Sequence, residues 1–455
     1  MALDRAGGRG SERAIVTLDR AFARFLPVIA FLVASAAVLF RQSGVPKALT
    51  IWAEDGLIFA GCAYARPLVD CLFEPYAGWL LVIPRVGAAV ATLLPPADLS
   101  VGLALFAALI AGLTAAVVAS AVRDASGSWP AGLAAGASLA LVYQAGIEIG
   151  GNLTNLHWIL VAGSIVLLVA WWVGSRPGPG SLALLVVTGL SSPFTPILVV
   201  LVLIGALVRR PGWRPPLAIT SVTALVQMAV VLTTPRVPPG RASFDLGVVI
   251  LHFVRDVLVL GAFGPMRLPL SWLVPIGVVG VVAVAAILAI DARGAPADTE
   301  PRAFAWRSLV VIAALVGTGI ALFAAMLFLQ QKYNARYAYV PSALLCVGLV
   351  FGSALVGSAG RAAQAGGDRA RTILGGAARL ILPAAVLLLA IGFARTFRLE
   401  AKASDGPDYT AAYRSLASAC EGGATTSIRV PISPAGGYPW TVEIPCSRVT
   451  QTPGR

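Results

Sequence analysis

Apolar residues run through this chain in continuous stretches of about 17–25 positions, and polar residues collect between them. Stretches of that length cross a bilayer as helices, whereas a barrel needs strict alternation. The pattern therefore predicts an all-α polytopic membrane protein. Hydropathy places spans near residues 24–41, 99–121, 131–147, 156–173, 181–191, 194–208, 216–233, 272–291, 308–329, 338–358 and 379–394, about eleven transmembrane helices. The fifth and sixth are short. Ser191-Ser192-Pro193-Phe194-Thr195-Pro196 breaks them into a hairpin, because prolines and the residues before them resist helix.

Charge orients this array. Arg5, Arg9, Arg13, Arg20 and Arg24 precede the first span, and Arg209, Arg210 and Arg214 lie between the sixth and seventh. Positive residues in such short segments stay cytoplasmic. The N-terminus is then inside and the C-terminus outside. Three regions follow: a cytoplasmic tail at 1–23, a membrane domain at 24–394 with a first outer loop at 42–98, and a small extracytoplasmic region at 395–455. Segment 79–95 is apolar enough to cross. Counting it as a span would turn the Arg-rich loops outward, so it reads as an interfacial helix of the first outer loop.

Composition agrees. The chain is 58% hydrophobic and 12% charged, with a mean hydropathy of +0.84. Its net charge of +13 is scattered over loops and tails, with no basic run and no aromatic platform, which excludes nucleic acid as a partner. Arginine outnumbers lysine, and Ala, Gly and Val dominate, a usage that points to a GC-rich bacterial genome and so to a bacterial plasma membrane. Cys62 and Cys71 share the first outer loop, and Cys420 and Cys446 share the C-terminal region. The four are either two disulfides or free thiols, and an outside location favours disulfides. Cys346 reads as a small apolar packer. Residues 427–432 and 441–446 read as two short strands of a small disulfide-bonded appendage, with Trp440 between them.

Candidate chemistry gathers in the outer loops. Glu54 and Asp55 directly follow the first span, and Asp70, Glu74, Tyr76 and Arg85 come after them. A carboxylate at the bilayer surface can act as general base on a hydroxyl, or it can merely cap a helix. Gln330–Pro341 brings Lys332, Arg336 and Tyr337, suited to phosphate oxygens or, more plainly, to an interface belt. Residues 148–158 offer Asn155 and His157 as hydrogen-bonding groups for a sugar. Arg236 and Arg241 flank a Pro-rich turn that could cover a site. Nothing in the sequence has metal-ligand spacing, a Walker loop or a nucleotide fingerprint, so neither metal nor cofactor is expected. A nucleotide-sugar donor is thereby disfavoured.

These features together resemble the C-type membrane glycosyltransferases, over roughly residues 20–395. Members carry many spans and a first outer loop with a catalytic Asp followed four residues on by an aromatic; Asp55 and Phe59 match that spacing, although Gly56 stands where members place a second acid, and Glu54 precedes instead. Glu74-Pro75-Tyr76-Ala77-Gly78 occupies the place of a His-Pro-Pro turn. Arg336-Tyr337 with Pro341 resembles a late-loop Arg-Tyr element, and the hairpin at 181–208 resembles the family layout. The resemblance implies an inverting, metal-independent hexosyl- or pentosyltransferase. Its donor would be a polyprenyl-phosphate sugar and its acceptor a glycan, glycolipid or protein of the cell envelope. It also implies Asp55 or Glu54 as base, Arg336, Lys332, Arg236 and Arg241 at the donor phosphate, and Tyr337, Glu74, Tyr76, Arg85, Asn155 and His157 at the substrates. The competing readings are a lipid-linked sugar flippase, which needs charge at mid-membrane depth, and a scaffold for an envelope complex.

Overall fold

The computed structural model describes residues 4–207, 212–234, 246–260, 300–330, 333–365, 383, 387, 390–398, 405–421, 423, 425–435 and 439–449. Its long helices are α1 (Asp4–Phe40), α5 (Leu99–Ser126), α7 (Leu156–Val173), α10 (Arg214–Thr233), α12 (Glu300–Gln330) and α13 (Tyr339–Ala365). Shorter ones are α2 (Gly61–Ala65), α3 (Leu68–Leu72), α4 (Val82–Ala91), α6 (Trp129–Leu141), α8 (Pro179–Gly189), α9 (Thr195–Leu207) and α11 (Leu246–His252). Among the described residues six helices are long and apolar enough to cross a membrane: 22–40, 96–126, 156–173, 214–233, 306–328 and 335–355. The chain is therefore a multi-pass helical membrane protein.

The expected spans at 131–147, 181–191 and 194–208 correspond to helices of 13, 11 and 13 residues, shorter than a bilayer needs. Val142 is extended and ends α6, which the sequence pattern carried on to 147. The expected span at 272–291 and most of that at 379–394 lie outside the described residues. Segment 79–95 forms only the ten-residue α4, too short to cross. At the N-terminus, α1 begins at Asp4 and joins the expected tail to the first span as one helix.

Lipid tails are as apolar as leucine, so helix association here rests on close packing. Gly132 and Gly136 of α6 lie against α5; a Cβ at either would meet the Ala119 or Ala115 carbonyl oxygen at 2.5 Å. Gly112 makes room for Phe31 and Ser35 of α1. At the centre, every residue of α7 is buried, so this helix has no lipid face. Its polar groups are satisfied internally: Ser164 and Thr188 share a 2.8 Å hydrogen bond, and the Trp172 indole donates to the Leu201 carbonyl at 3.0 Å.

The α8–α9 hairpin turns at residues 190–194, as its prolines require. Its tip meets the start of α4, where Val82 N donates to Leu190 O and Ile83 N to Ser191 Oγ. Gln227 of α10 closes the same junction. Its amide donates to Leu80 O and Gly189 O and accepts from Leu80 N.

The C-terminal region folds as α14 (Tyr409–Glu421), an antiparallel pair β1 (Ser427–Pro431) and β2 (Thr441–Pro445), and the short α15 (Cys446–Val449). Alternation along β1 buries Ile428 and Val430 against Ile444 and Val442 of β2. The strands follow the sequence expectation; α14 did not figure in it. Both disulfides are present, Cys62–Cys71 and Cys420–Cys446, and Cys346 is buried and outside either disulfide.

Candidate active site

Among the described residues the buried acids are Asp55, Glu148 and Asp256. Each sits in a π-helical turn: Asp55–Ala60, Ala145–Ile149 and Phe253–Val259. Such turns widen a helix by one residue per turn and re-aim side chains, and they recur at functional sites. The three lie together at one end of the bundle. Gln144 beside the second donates to the Asp256 carbonyl of the third, and the first is tied to the loop after the second by Asp55 itself.

Asp55 is 2% exposed. One carboxylate oxygen accepts from Leu153 N at 2.7 Å, and the other from Thr154 N at 2.8 Å and Thr154 Oγ1 at 2.6 Å. Burial pushes its carboxyl up to about 6, against the opposing pull of these bonds and of Lys47. Lys47, also buried, is lowered to about 8 by burial, with Asp55 opposing. Its alkyl chain packs on Gly151 at φ +80°, where a Cβ would sit 2.7 Å from Lys47 Cε. Lys47 and Thr154 are site residues that the sequence reading missed. A lysine just beyond a first span reads as ordinary flanking charge, and no local signal marks its burial.

Glu54 precedes this anchor and is differently placed. Tyr76 OH donates to its Oε1 at 3.1 Å, while its buried Oε2 has no hydrogen-bond partner among the described residues. Burial, then the Glu54 charge, raises the Tyr76 phenol. That phenol also feels Arg336 and Asp55, so the three expected groups share one neighbourhood. Beneath it, Phe59 meets Tyr76 edge-on at 5.8 Å and carries the buried Arg85 guanidinium 5.3 Å over its face. Glu74 pairs with Arg66 and lies 3.8 Å from Arg85, too far for a hydrogen bond.

Arg336 is held by Glu148, Nη1 to Oε1 at 3.3 Å, and its guanidinium lies 5.8 Å from the Tyr337 ring, which in turn neighbours Trp158. Asn155 and His157 stand at the start of α7. Both are buried within their own turn: Asn155 Nδ2 donates to Glu148 O at 3.2 Å, and His157 Nδ1 lies 2.8 Å from Thr154 O. They shape the loop that receives Asp55. Lys332, Arg236 and Arg241 lie outside the described residues.

The third acid, Asp256, was not anticipated. It accepts from Arg255 Nε and Nη2 at 2.7 and 3.0 Å and from Tyr333 OH, with His252 Nδ1 at 3.0 Å. His252 stacks on Tyr333 at 3.7 Å. Burial works to raise the Asp256 carboxyl, but the hydrogen bonds from Arg255, Tyr333 and His252 outweigh it and hold it below the usual range. The sequence carried one hint, an Arg-Asp pair between apolar residues.

Chemically, the end of the bundle offers a carboxylate oxygen free to accept a proton and two guanidinium groups oriented by buried acids. Among the described residues no group of three His, Cys, Asp or Glu could hold a metal ion. No family model matches the chain, and no curated protein matches it.

Proposed function

We propose that this protein is an inverting glycosyltransferase of the C type, moving a sugar from a polyprenyl-phosphate donor to a cell-envelope acceptor. The observation that carries the reading is the division between adjacent acids: Asp55 is fixed by three hydrogen bonds, while Glu54 keeps a buried oxygen without a partner among the described residues. The free lone pair makes Glu54 the base, and Asp55 the group that sets its position. Glu54 takes the proton of the acceptor hydroxyl, whose oxygen attacks the anomeric carbon. The bond from that carbon to the lipid phosphate breaks with inversion, and the phosphate leaves with the electron pair, its charge met by Arg336.

Sidedness follows from the same reading. The first loop and the C-terminal region both carry disulfides and pack together, so both belong outside a bacterial plasma membrane, with the N-terminus inside. The test is sugar transfer by purified protein in lipid, offered a panel of labelled polyprenyl-phosphate sugars and an envelope acceptor fraction. Transfer by the wild type that Glu54→Gln abolishes supports the assignment. Transfer surviving in Glu54→Gln but lost in Asp55→Asn returns the base to Asp55. Lipid translocation in vesicles without transfer refutes the enzyme in favour of a flippase.

A further inference from the structure

The C-terminal region grips both ends of the first outer loop. At the start of the loop, Ser433 N donates to Ile51 O at 2.9 Å, a parallel bridge pairs Ser433 with Trp52, and Trp440 packs on Trp52 and Ala53. At its end, Tyr409 OH donates to Pro96 O at 2.7 Å and Thr410 Oγ1 to Ala97 O at 3.2 Å. Between these grips lies the acid-bearing turn, and the closest contact falls on Gly56. A Cβ there would stand 2.4 Å from Ile432 Cδ1 and 3.4 Å from Val442 Cβ. Any Cβ would force the tip of the Ile432 side chain aside, with Ile51 Cγ2 of the loop itself at 3.1 Å.

We infer that Ile432 and Val442 are positioning residues for Glu54 and Asp55, acting through Gly56, so that the last part of the chain completes the site formed by the first loop. This rests on the glycosyltransferase reading for its catalytic consequence, but not for its structural one. Asp55 is fixed on one side by the Leu153–Thr154 peptide. The appendage supplies the opposing wall. Because Cys420–Cys446 joins α14 to the first residue of α15, directly after β2, that wall is itself held by a covalent link. The wall beside the acid pair is therefore in place only when the C-terminal region is docked on the first loop.

The contact can be tested by exchanging volume across it, in the full-length protein in lipid. Gly56→Ala adds a methyl where Ile432 Cδ1 stands, and Ile432→Val removes that same atom. Gly56→Ala is expected to lower kcat about tenfold or more with KM little changed, and to speed amide exchange across residues 51–60 about tenfold while α7 stays protected. The double variant Gly56→Ala with Ile432→Val is expected to recover both. A double variant no better than Gly56→Ala alone overturns the inference, as does Gly56→Ala without effect on exchange. If the wild type transfers no sugar, exchange decides alone, so failure of the enzyme reading and failure of this one remain distinguishable.

Discussion

Replacing Asp55 by Asn, read at two pH values, separates two physical effects that oppose each other in this site. Three hydrogen bonds favour the charged carboxylate. Burial disfavours it and wins, lifting the carboxyl from 3.8 to about 6. A group raised in the folded state contributes stability that is fully present below its unfolded pKa and is lost as pH rises through its folded pKa. Wild-type folding is therefore less favourable at neutral pH than below pH 3.8 by about 2–3 kcal/mol, roughly two pK units at about 1.36 each. An asparagine side chain does not titrate. It keeps an oxygen for one side of the site and turns an N–H donor against the Leu153 or Thr154 N–H groups on the other, a pH-independent loss of about 1–3 kcal/mol. At pH 4.5 the Asp55→Asn variant is therefore expected to be less stable than the wild type by that amount, and by pH 7.5 the difference narrows or reverses. Unfolding in mild detergent followed by tryptophan fluorescence measures it at both pH values. A wild-type advantage that grows with pH would show the hydrogen bonds prevailing over burial and would refute the reasoning.

Four further outcomes follow from named contacts. Arg336→Ala leaves the buried Glu148 carboxylate without its guanidinium and should reduce transfer about tenfold or more; Arg336→Lys should restore little, since an ammonium lacks the fork. If Asp55 must be ionised to hold Glu54, the transfer rate should rise with pH through about 6, and this step should vanish in Asp55→Asn. Gln227→Leu strips three backbone hydrogen bonds from the junction of α4, α8 and α10 and should cost about 1–3 kcal/mol in thermal unfolding. Gly136→Val drives a side chain into the Ala115 carbonyl and should prevent recovery of monodisperse protein, whereas Gly178→Ala, with nothing among the described residues within 4 Å of its Cβ, should be tolerated as the control.

Much of the local structure was legible along the chain. Continuous apolar runs marked α1, α5, α7, α10, α12 and α13 because hydropathy is a property of the segment alone. Prolines set the α8–α9 hairpin, alternation set β1 and β2, and the shared location of each cysteine pair anticipated both disulfides. Glu54 and Asp55 stood out as paired acids in an apolar chain. What the sequence could not assign was which of them has both oxygens bonded and which keeps one oxygen without a partner among the described residues, because that depends on the Leu153–Thr154 peptide about a hundred residues away. Nor could it show that Asn155 and His157 turn inward, that Lys47 is buried beside Asp55, or that Asp256 joins the same end of the bundle. The appendage read as separate because its docking runs through a glycine, Gly56, whose significance is an absent side chain. Segment hydropathy thus determined the elements, while the positions of single polar atoms were decided by contacts between segments distant in sequence.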